Sequence, residues 1–169
     1  MKRANDSDLT AERLKQLLHY DPETGIFVWR IGRQGHLAGA VAGVLRPDGR
    51  ILIGVDRERH FAHRLAWLYM TGKFPAMDLD HEDLNPANNR FVNLREATAS
   101  QNQRNQRRPI HNTSGLKGVS FHNQRKRWMA QIKIKGRGIY LGLFDTKEEA
   151  HAAYCSAATK AEPDFARFE

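Results

Sequence analysis

One short window of the sequence concentrates side chains that could bind a metal ion and move a proton. It runs from Asp78 to Gln103 with the sequence DLDHEDLNPANNRFVNLREATASQNQ. Asparagine forms helices and strands poorly, yet the window holds five: Asn85, Asn88, Asn89, Asn93 and Asn102. Either these asparagines are turn residues, or some of them hold a ligand beside the adjacent Asp80 and His81.

Local signals place this window on a strand, a loop, a second strand and a helix. MDLDHED is a short strand, LNPANNR a turn-rich loop and FVNLREA a second strand. Thr98 and Gln101 have the spacing of a capping box, which predicts a helix from about Ala99. Asp80 and His81 then end the first strand, and Asn102 lies in the first turn of the helix.

This arrangement suits the hydrolysis of a phosphodiester bond. The Asp80 carboxylate and the Asn102 amide oxygen are hard ligands for Mg²⁺ or Mn²⁺, with substrate phosphate and water completing the shell. His81 points the other way along the strand, where a neutral imidazole could take a proton from an attacking water. Asn93 is then structural, and its amide bridges loop and strand backbone to orient His81. One metal ion and one base are the groups that this hydrolysis requires.

The complete pattern resembles the HNH, or ββα-metal, nucleases, in particular the phage-type HNH homing endonucleases. The resembling segments are HRLAWLY, LDHEDLNPANNRFVNL and ATASQN, which cover 63–69, 79–94 and 97–102. The family has an Asp-His pair, a hairpin asparagine and then a His or Asn on the helix, and Asn102 matches its His-Asn-Asn branch. The resemblance implies that Asp80 and Asn102 bind the cation. It implies that His81 is the general base and that Asn93 orients it.

Residues near this window leave alternatives open. His63 is either part of the site or a packed, hydrogen-bonded structural histidine, and Arg64 either contacts phosphate or pairs with an acid. A zinc site from His60, His63 and His81 is conceivable but disfavoured. Many relatives brace the fold with a four-cysteine zinc site; with Cys155 as the single cysteine, packing must serve here and no zinc is expected.

Charge is unevenly distributed along the chain. The net charge is +8, and residues 104–144 contain ten basic residues and no Asp or Glu. A segment of one sign attracts polyanions, of which nucleic acid is the commonest inside cells, although a solvated basic surface would look the same. The segment therefore predicts nucleic-acid binding.

The same segment contains three strand candidates, GVSFH, RWMAQIKIK and GIYLGLF, followed by the helix DTKEEAHAAYCSAATKA. In the second strand Trp128, Ala130, Ile132 and Ile134 fall on one face and Met129, Gln131, Lys133 and Lys135 on the other. Residues 112–168 resemble the AP2 DNA-binding domain. The resemblance puts these residues on the DNA-facing side: Lys117, Arg125, Arg127, Gln131, Lys133, Lys135 and Tyr140. Trp128 lies near the surface or in the core, and Trp128 and Tyr140 could each be packing aromatics.

The remaining elements complete an α+β organisation. TAERLKQLLHY predicts a short helix capped by Thr10, residues 26–61 a β-meander, and AHRLAWLYMTG a helix that stops at Gly72. We expect an HNH nuclease domain at 1–106 with its ββα core at about 77–106. A linker at 107–112 and an AP2-like domain at 113–169, a three-stranded antiparallel sheet plus helix, follow.

These observations predict a DNA endonuclease that needs one divalent cation, Mg²⁺ or Mn²⁺. It would act as a monomer on double-stranded DNA, nick a preferred site as homing endonucleases do, and use no small-molecule substrate. The polar N-terminus and the lack of long apolar runs indicate neither export nor a membrane partner. The bacterial cytoplasm is the expected location, and a phage could encode the chain.

Two other functions compete with this prediction. One is a non-catalytic DNA-binding regulator with a relic HNH unit. The other is an RNA-binding accessory protein, which is disfavoured because the sequence lacks the surface aromatic pairs typical of single-strand binding.

Overall fold

The computed structural model describes residues 8–32, 35–105, 112–134, 136–161, 163 and 168. The chain divides into two compact units, Met1–Glu96 and Ala97–Glu169. The predicted linker at 107–112 lies almost wholly outside the described residues, so that boundary stays a prediction. The α+β class is confirmed, with small antiparallel sheets in both units.

The first unit begins with a helix and a hairpin. Helix α1 (Ala11–Leu17) is capped by the Thr10 hydroxyl, which accepts a hydrogen bond from the Arg13 N–H, as predicted. Strands β1 (Leu18–Asp21) and β2 (Ile26–Trp29) then pair antiparallel. The helix predicted to continue through Tyr20 instead ends at Leu17. Pairing with β2 makes the next residues extended, with Leu18 and Tyr20 buried and His19 exposed between them.

The predicted meander is therefore two sheets rather than one. Strands β3 (Val44–Leu45), β4 (Ile51–Val55) and β5 (Glu58–Phe61) form a separate antiparallel sheet in sequence order. Helix α2 (Ala62–Thr71) follows and ends as predicted at Gly72, which has the left-handed conformation that glycine adopts readily. The core of the unit joins α1, the hairpin, β4 and α2 through Leu14, Leu17, Tyr20, Phe27, Ile53, Leu65 and Leu68.

Two strands and a 3₁₀ turn follow α2. Strand β6 (Asp78–His81) pairs with β7 (Leu94–Ala97), and the loop between them ends in the 3₁₀ turn Phe91–Asn93. The loop thus returns the chain beside the strand that carries Asp80 and His81.

The second unit contains the predicted capping boxes and sheet. Helix α3 (Ala99–Asn105) begins with the reciprocal bonds of Thr98 and Gln101. Strands β8 (Val119–His122), β9 (Arg127–Ile134) and β10 (Arg137–Phe144) form an antiparallel sheet with β9 in the centre. Helix α4 (Lys147–Ala161) begins with the Thr146–Glu149 box and packs on one face of the sheet.

Within the part of the chain that the structure describes, none of the helices is both long and apolar enough to span a membrane.

Candidate active site

Asp80 is a buried carboxylate next to the end of β6, with 4% of its surface exposed. Arg95 on β7 compensates its charge, since Nε and Nη2 donate to Asp80 Oδ2 at 3.1 and 3.0 Å. The third donor, Nη1, lies 3.4 Å from Glu82 Oε1. A buried carboxylate without a partner would be costly, and the two bonds from Arg95 offset that cost. Sequence reasoning missed Arg95, whose one signal was its place on the strand paired with β6.

Asn93 ties the two ends of the loop together. Its Oδ1 accepts the Asp83 N–H at 3.1 Å, while its Nδ2 donates to the Asp83 carboxylate at 3.0 Å and to the Asn88 carbonyl at 2.8 Å. Its own carbonyl accepts the Glu82 N–H at 3.0 Å. These bonds fix the backbone immediately after His81. That Asn93 thereby orients His81 stays a prediction.

Other asparagines of the window shape the loop. Asp83 accepts the Asn85 N–H at 2.8 Å and the Asn88 Nδ2 at 2.7 Å. Burial raises the pKa of Asp83, but the hydrogen bonds from Asn88, Asn85 and Asn93, with the nearby His81, outweigh it and leave the pKa lowered. Asp83 is thus an ionised anchor for the turn, and Asn85 and Asn88 are turn residues.

His81 ends β6 in a largely buried position. Burial lowers its pKa, and Arg50 adds to this; a hydrogen bond with the Asn89 side chain and the carboxylates of Asp83 and Asp80 oppose the shift without cancelling it. The imidazole is therefore neutral near pH 7. The neutral form is the one that can accept a proton.

His63 on α2 packs against His81, with the ring centroids 5.2 Å apart and the rings edge to face. Its other ring contact is a stack on Phe61. Burial, followed by the influence of His81, Arg50 and Arg64, lowers the pKa of His63 to about 3. His63 is therefore a neutral, packed neighbour of His81, and both alternatives raised by the sequence stay open.

The two arginines near the histidines have different surroundings. Arg64 is buried at 6% exposure, with its guanidinium 5.7 Å from the Phe74 ring. This burial weighs against the predicted DNA contact by Arg64. Arg50 has a half-exposed side chain and lies over the Phe61 ring, close enough to lower the pKa of both His63 and His81. Arg50 is thus an exposed cation near His81, with Nη1 3.4 Å from Asp48 Oδ2, and sequence reasoning missed it.

Asn102 lies in the first turn of α3, where its N–H donates to the Thr98 carbonyl at 2.9 Å. It belongs to the second unit, so its position relative to Asp80 stays a prediction. Among the described residues no three His, Cys, Asp or Glu side chains cluster in a way that could hold a metal ion. The ligands predicted for the cation are one carboxylate and one amide oxygen, so they do not include three such side chains. They fit Mg²⁺ or Mn²⁺, which keep several waters and use few protein ligands.

The second unit presents the sheet face that the β9 alternation predicts. Ala130 and Ile132 are buried towards α4, whereas Gln131 and Lys133 are exposed on the opposite face. Tyr140 of β10 lies opposite Gln131 and is 60% exposed. The exposed face therefore combines cationic, amide and phenol groups.

Five further residues of the predicted AP2-like domain remain, and four of them lie within the described part of the chain. Arg125 is exposed in the β8–β9 turn, and Arg127 pairs with Asp145 at 2.8 Å. Trp128 is partly buried and meets Phe121 edge to face, so it packs rather than projects. Lys117 is only 9% exposed, which weighs against a DNA contact by its side chain. Lys135 lies outside the described residues.

Comparisons with known proteins find two families along the chain, and the first match crosses the boundary between the two units at Glu96 and Ala97. Residues 60–104 match a family described as HNH endonuclease, and residues 114–162 match the AP2 domain. Protein 3.8 of Escherichia phage T7 is 37% identical over 76 residues, which are 44% of this chain and 63% of that protein. An ethylene-responsive transcription factor-like protein of Arabidopsis thaliana is 30% identical over 90 residues, 51% of this chain and 39% of that protein. The chain thus spans less than two thirds of either relative.

Proposed function

We propose that this chain, which carries an HNH endonuclease unit followed by a C-terminal AP2 domain, binds double-stranded DNA and hydrolyses its phosphodiester bonds. One site per chain would cut one strand, so the expected product is a nick at a preferred sequence, as in a homing endonuclease. The observation that carries the proposal is the arrangement in the first unit. A neutral His81 follows the buried Asp80, and Asn93 fixes the loop after it by bonds to Asp83 and Asn88.

Each residue of the site has a proposed task. His81 takes the proton from the attacking water, and Asn93 holds the loop so that the ring keeps its direction. Asp80 and Asn102 hold a divalent cation, Mg²⁺ or Mn²⁺; Asn102 enters the proposal from the sequence alone. The cation would stabilise negative charge on the phosphate and on the leaving oxygen.

Two arginines add to these tasks. Arg95 holds the Asp80 carboxylate by one oxygen, so the carboxylate keeps one orientation before any cation binds. Arg50, half exposed near His81 and paired with Asp48 at 3.4 Å, is proposed to exchange that ion pair for a contact with a DNA phosphate next to the one that is cut. Both arginines therefore act through electrostatics and position rather than by proton transfer.

The second unit is proposed to supply most of the binding affinity. A three-stranded sheet presenting long cationic and polar side chains has the width to enter the DNA major groove. A tether between this unit and the nuclease unit raises the effective concentration of the nuclease beside bound DNA. The chain is expected to act as a monomer on DNA inside the cell.

The decisive experiment is a nicking assay on supercoiled plasmid. The wild-type protein should convert it to the open circular form with Mg²⁺ or Mn²⁺ but not with EDTA. His81→Ala should abolish this conversion, because it removes the base, yet leave DNA binding within about twofold, since phosphate contacts dominate affinity. Equal nicking by wild type and His81→Ala would reject the assignment.

A matched control makes the result specific. His19→Ala is the same substitution at an exposed position on β1, and it should nick like wild type. DNA binding that needs no divalent ion, without nicking under any condition, would instead favour the non-catalytic regulator.

A further inference from the structure

The hairpin β1–β2 contacts the loop that follows His81. The Tyr20 hydroxyl donates to the Asn89 carbonyl at 2.7 Å, and each of the two residues is 1% exposed. Burial raises the pKa of Tyr20, so the hydroxyl keeps its proton and remains a donor. A buried carbonyl that loses such a donor is left unsatisfied, so this bond constrains where residue 89 can lie.

The turn of the hairpin packs directly on the loop backbone. Gly25 has a φ of +73°, and a Cβ placed there would lie 2.5 Å from both the Arg90 nitrogen and the Asn89 carbonyl carbon. The Phe91 N–H donates to the Pro22 carbonyl at 3.2 Å. No side chain fits between the two segments. The hairpin and residues 89–91 are therefore in backbone contact.

Asn89 connects this contact to His81. Its side chain lies close enough to His81 to raise the pKa of that imidazole, and its Nδ2 donates to the Ala87 carbonyl at 3.0 Å. Asn89 thus has its carbonyl held by Tyr20 and its side chain against His81. A shift of residue 89 would be passed directly to the imidazole.

We propose that Tyr20 is a positioning residue for His81, acting through Asn89, and that the β1–β2 hairpin braces the loop of the active site. The proposal rests on the proposed nuclease function. Residues 18–29 lie outside the range 60–104 that matches the HNH endonuclease family, so the brace belongs to this chain's own N-terminal elements.

The first test removes only the hydroxyl. In the full-length chain Tyr20→Phe keeps the ring contacts with Phe27 and Tyr69 but loses the bond to Asn89. We expect faster amide hydrogen exchange in peptides covering 84–93. We also expect a kcat about tenfold lower with a KM for DNA within about twofold, because small misplacements of a catalytic group reduce the rate at saturation.

Tyr69→Phe is the matched control. It makes the same change in the same aromatic group, where the rings of Tyr20 and Tyr69 are 5.6 Å apart. Its exchange, kcat and KM should stay at the wild-type values. Tyr69→Phe therefore controls for the loss of a tyrosine hydroxyl from this aromatic group without loss of the bond to Asn89.

A second pair of variants keeps the test open if Tyr20→Phe folds poorly. Gly25→Ala pushes a methyl group into the loop backbone, while Gly72→Ala has the same kind of positive φ, +82°, with no atom within 4 Å. Both variants place a non-glycine residue at a positive φ and carry a similar conformational cost for it. A difference between them therefore reports the contact of residue 25 with the loop backbone. Gly25→Ala alone should raise exchange in 84–93 and lower kcat.

Two results would overturn the proposal. One is unchanged exchange in 84–93 for both Tyr20→Phe and Gly25→Ala; the other is faster exchange with an unchanged kcat. A wild-type protein that nicks no plasmid would reject the nuclease function instead. The NMR signals of the His81 ring would then decide the positioning role, which falls if Tyr20→Phe leaves them where Tyr69→Phe does.

Discussion

At the scale of single residues, two buried or partly buried imidazoles of the first unit, His63 and His81, pack edge to face. His63 is 8% exposed and contacts both His81 and Phe61. A buried imidazole loses its water, so the charged form is disfavoured, and the neighbouring Arg50 and Arg64 disfavour it further. Since an unfolded chain exposes the same ring to water, protonation couples to folding.

His63 should therefore make the first unit sensitive to acid. The folded pKa of about 3 lies below the ordinary value of 6.5, so between these pH values the unfolded chain binds a proton that the folded chain does not. Stability falls with falling pH across that window, by about 1.4 kcal/mol per pH unit for one proton. Urea denaturation of wild type and His63→Phe at pH 7 and pH 5 should show a smaller loss in the variant. A His63 ring that titrates near pH 6.5 by NMR would contradict this.

Residue types and spacing could predict Asp80, His81 and Asn93, because all three lie in one local window. Asn93 bonds to Asp83 and Asn88 within the loop, while its role in orienting His81 stays a prediction. Local spacing could not predict the contacts of Tyr20, Arg50 and Arg95. Each reaches the site from another strand or turn, and only the tertiary fold brings those segments together.

At the scale of elements, the most local signals were the most informative. Both capping boxes form, because each needs only residues three positions apart. The helix predicted through Tyr20 failed at Leu18, since pairing with β2 and burial of alternate residues outweigh helix propensity. The prediction of a single meander was wrong for the same reason, because tertiary contacts decide which strands pair.

In the second unit, the contact of Gly118 with α4 gives a prediction for an element. Gly118 has a φ of +75°, and a Cβ there would overlap the ring of the buried Tyr154. Gly118→Ala should destabilise the β8–β9–β10 sheet and α4 by roughly 2–4 kcal/mol, from the positive φ and from overpacking. Urea denaturation followed by the amide NMR signals of residues 119–134 measures this.

Gly136→Ala is the control for that variant. Its φ is +79° with no atom within 4 Å, so it carries the backbone cost without the overlap and should lose much less stability. Equal losses in the two variants would show that the contact with Tyr154 is unimportant.

At the scale of the whole molecule, formal charge overstates the cationic surface of the second unit. Of the ten basic residues between 104 and 144, Lys117 is buried and Arg127 is paired with Asp145. Composition could predict a polyanion partner but not which cations face outwards. The alternation along β9 supplied that information for Lys133, whereas Arg125 was predicted only from the resemblance to the AP2 domain.

These two cations should set the salt dependence of DNA binding by the whole chain. Arg125→Gln with Lys133→Gln removes two exposed charges from the sheet side of the second unit. Each lost phosphate contact should weaken binding and reduce the slope of log K against log salt by about 0.9. The KM for nicking should rise while kcat at saturating DNA stays unchanged, because the residues of the proposed active site are unaltered.

The control removes the same formal charge from the same unit. The control variant carries Lys147→Gln and Lys160→Gln, both on α4. Helix α4 packs against the face of the sheet opposite to the one that carries Lys133. If DNA binds the exposed sheet face, this pair should leave the slope of log K against log salt within about 0.5 of the wild-type value. Only cations that contact phosphates release counterions and so contribute to that slope. Equal slope changes for both pairs would mean that net charge, not this face, attracts DNA. A fall in kcat for the Arg125 and Lys133 pair would mean that the face takes part in catalysis rather than in binding alone.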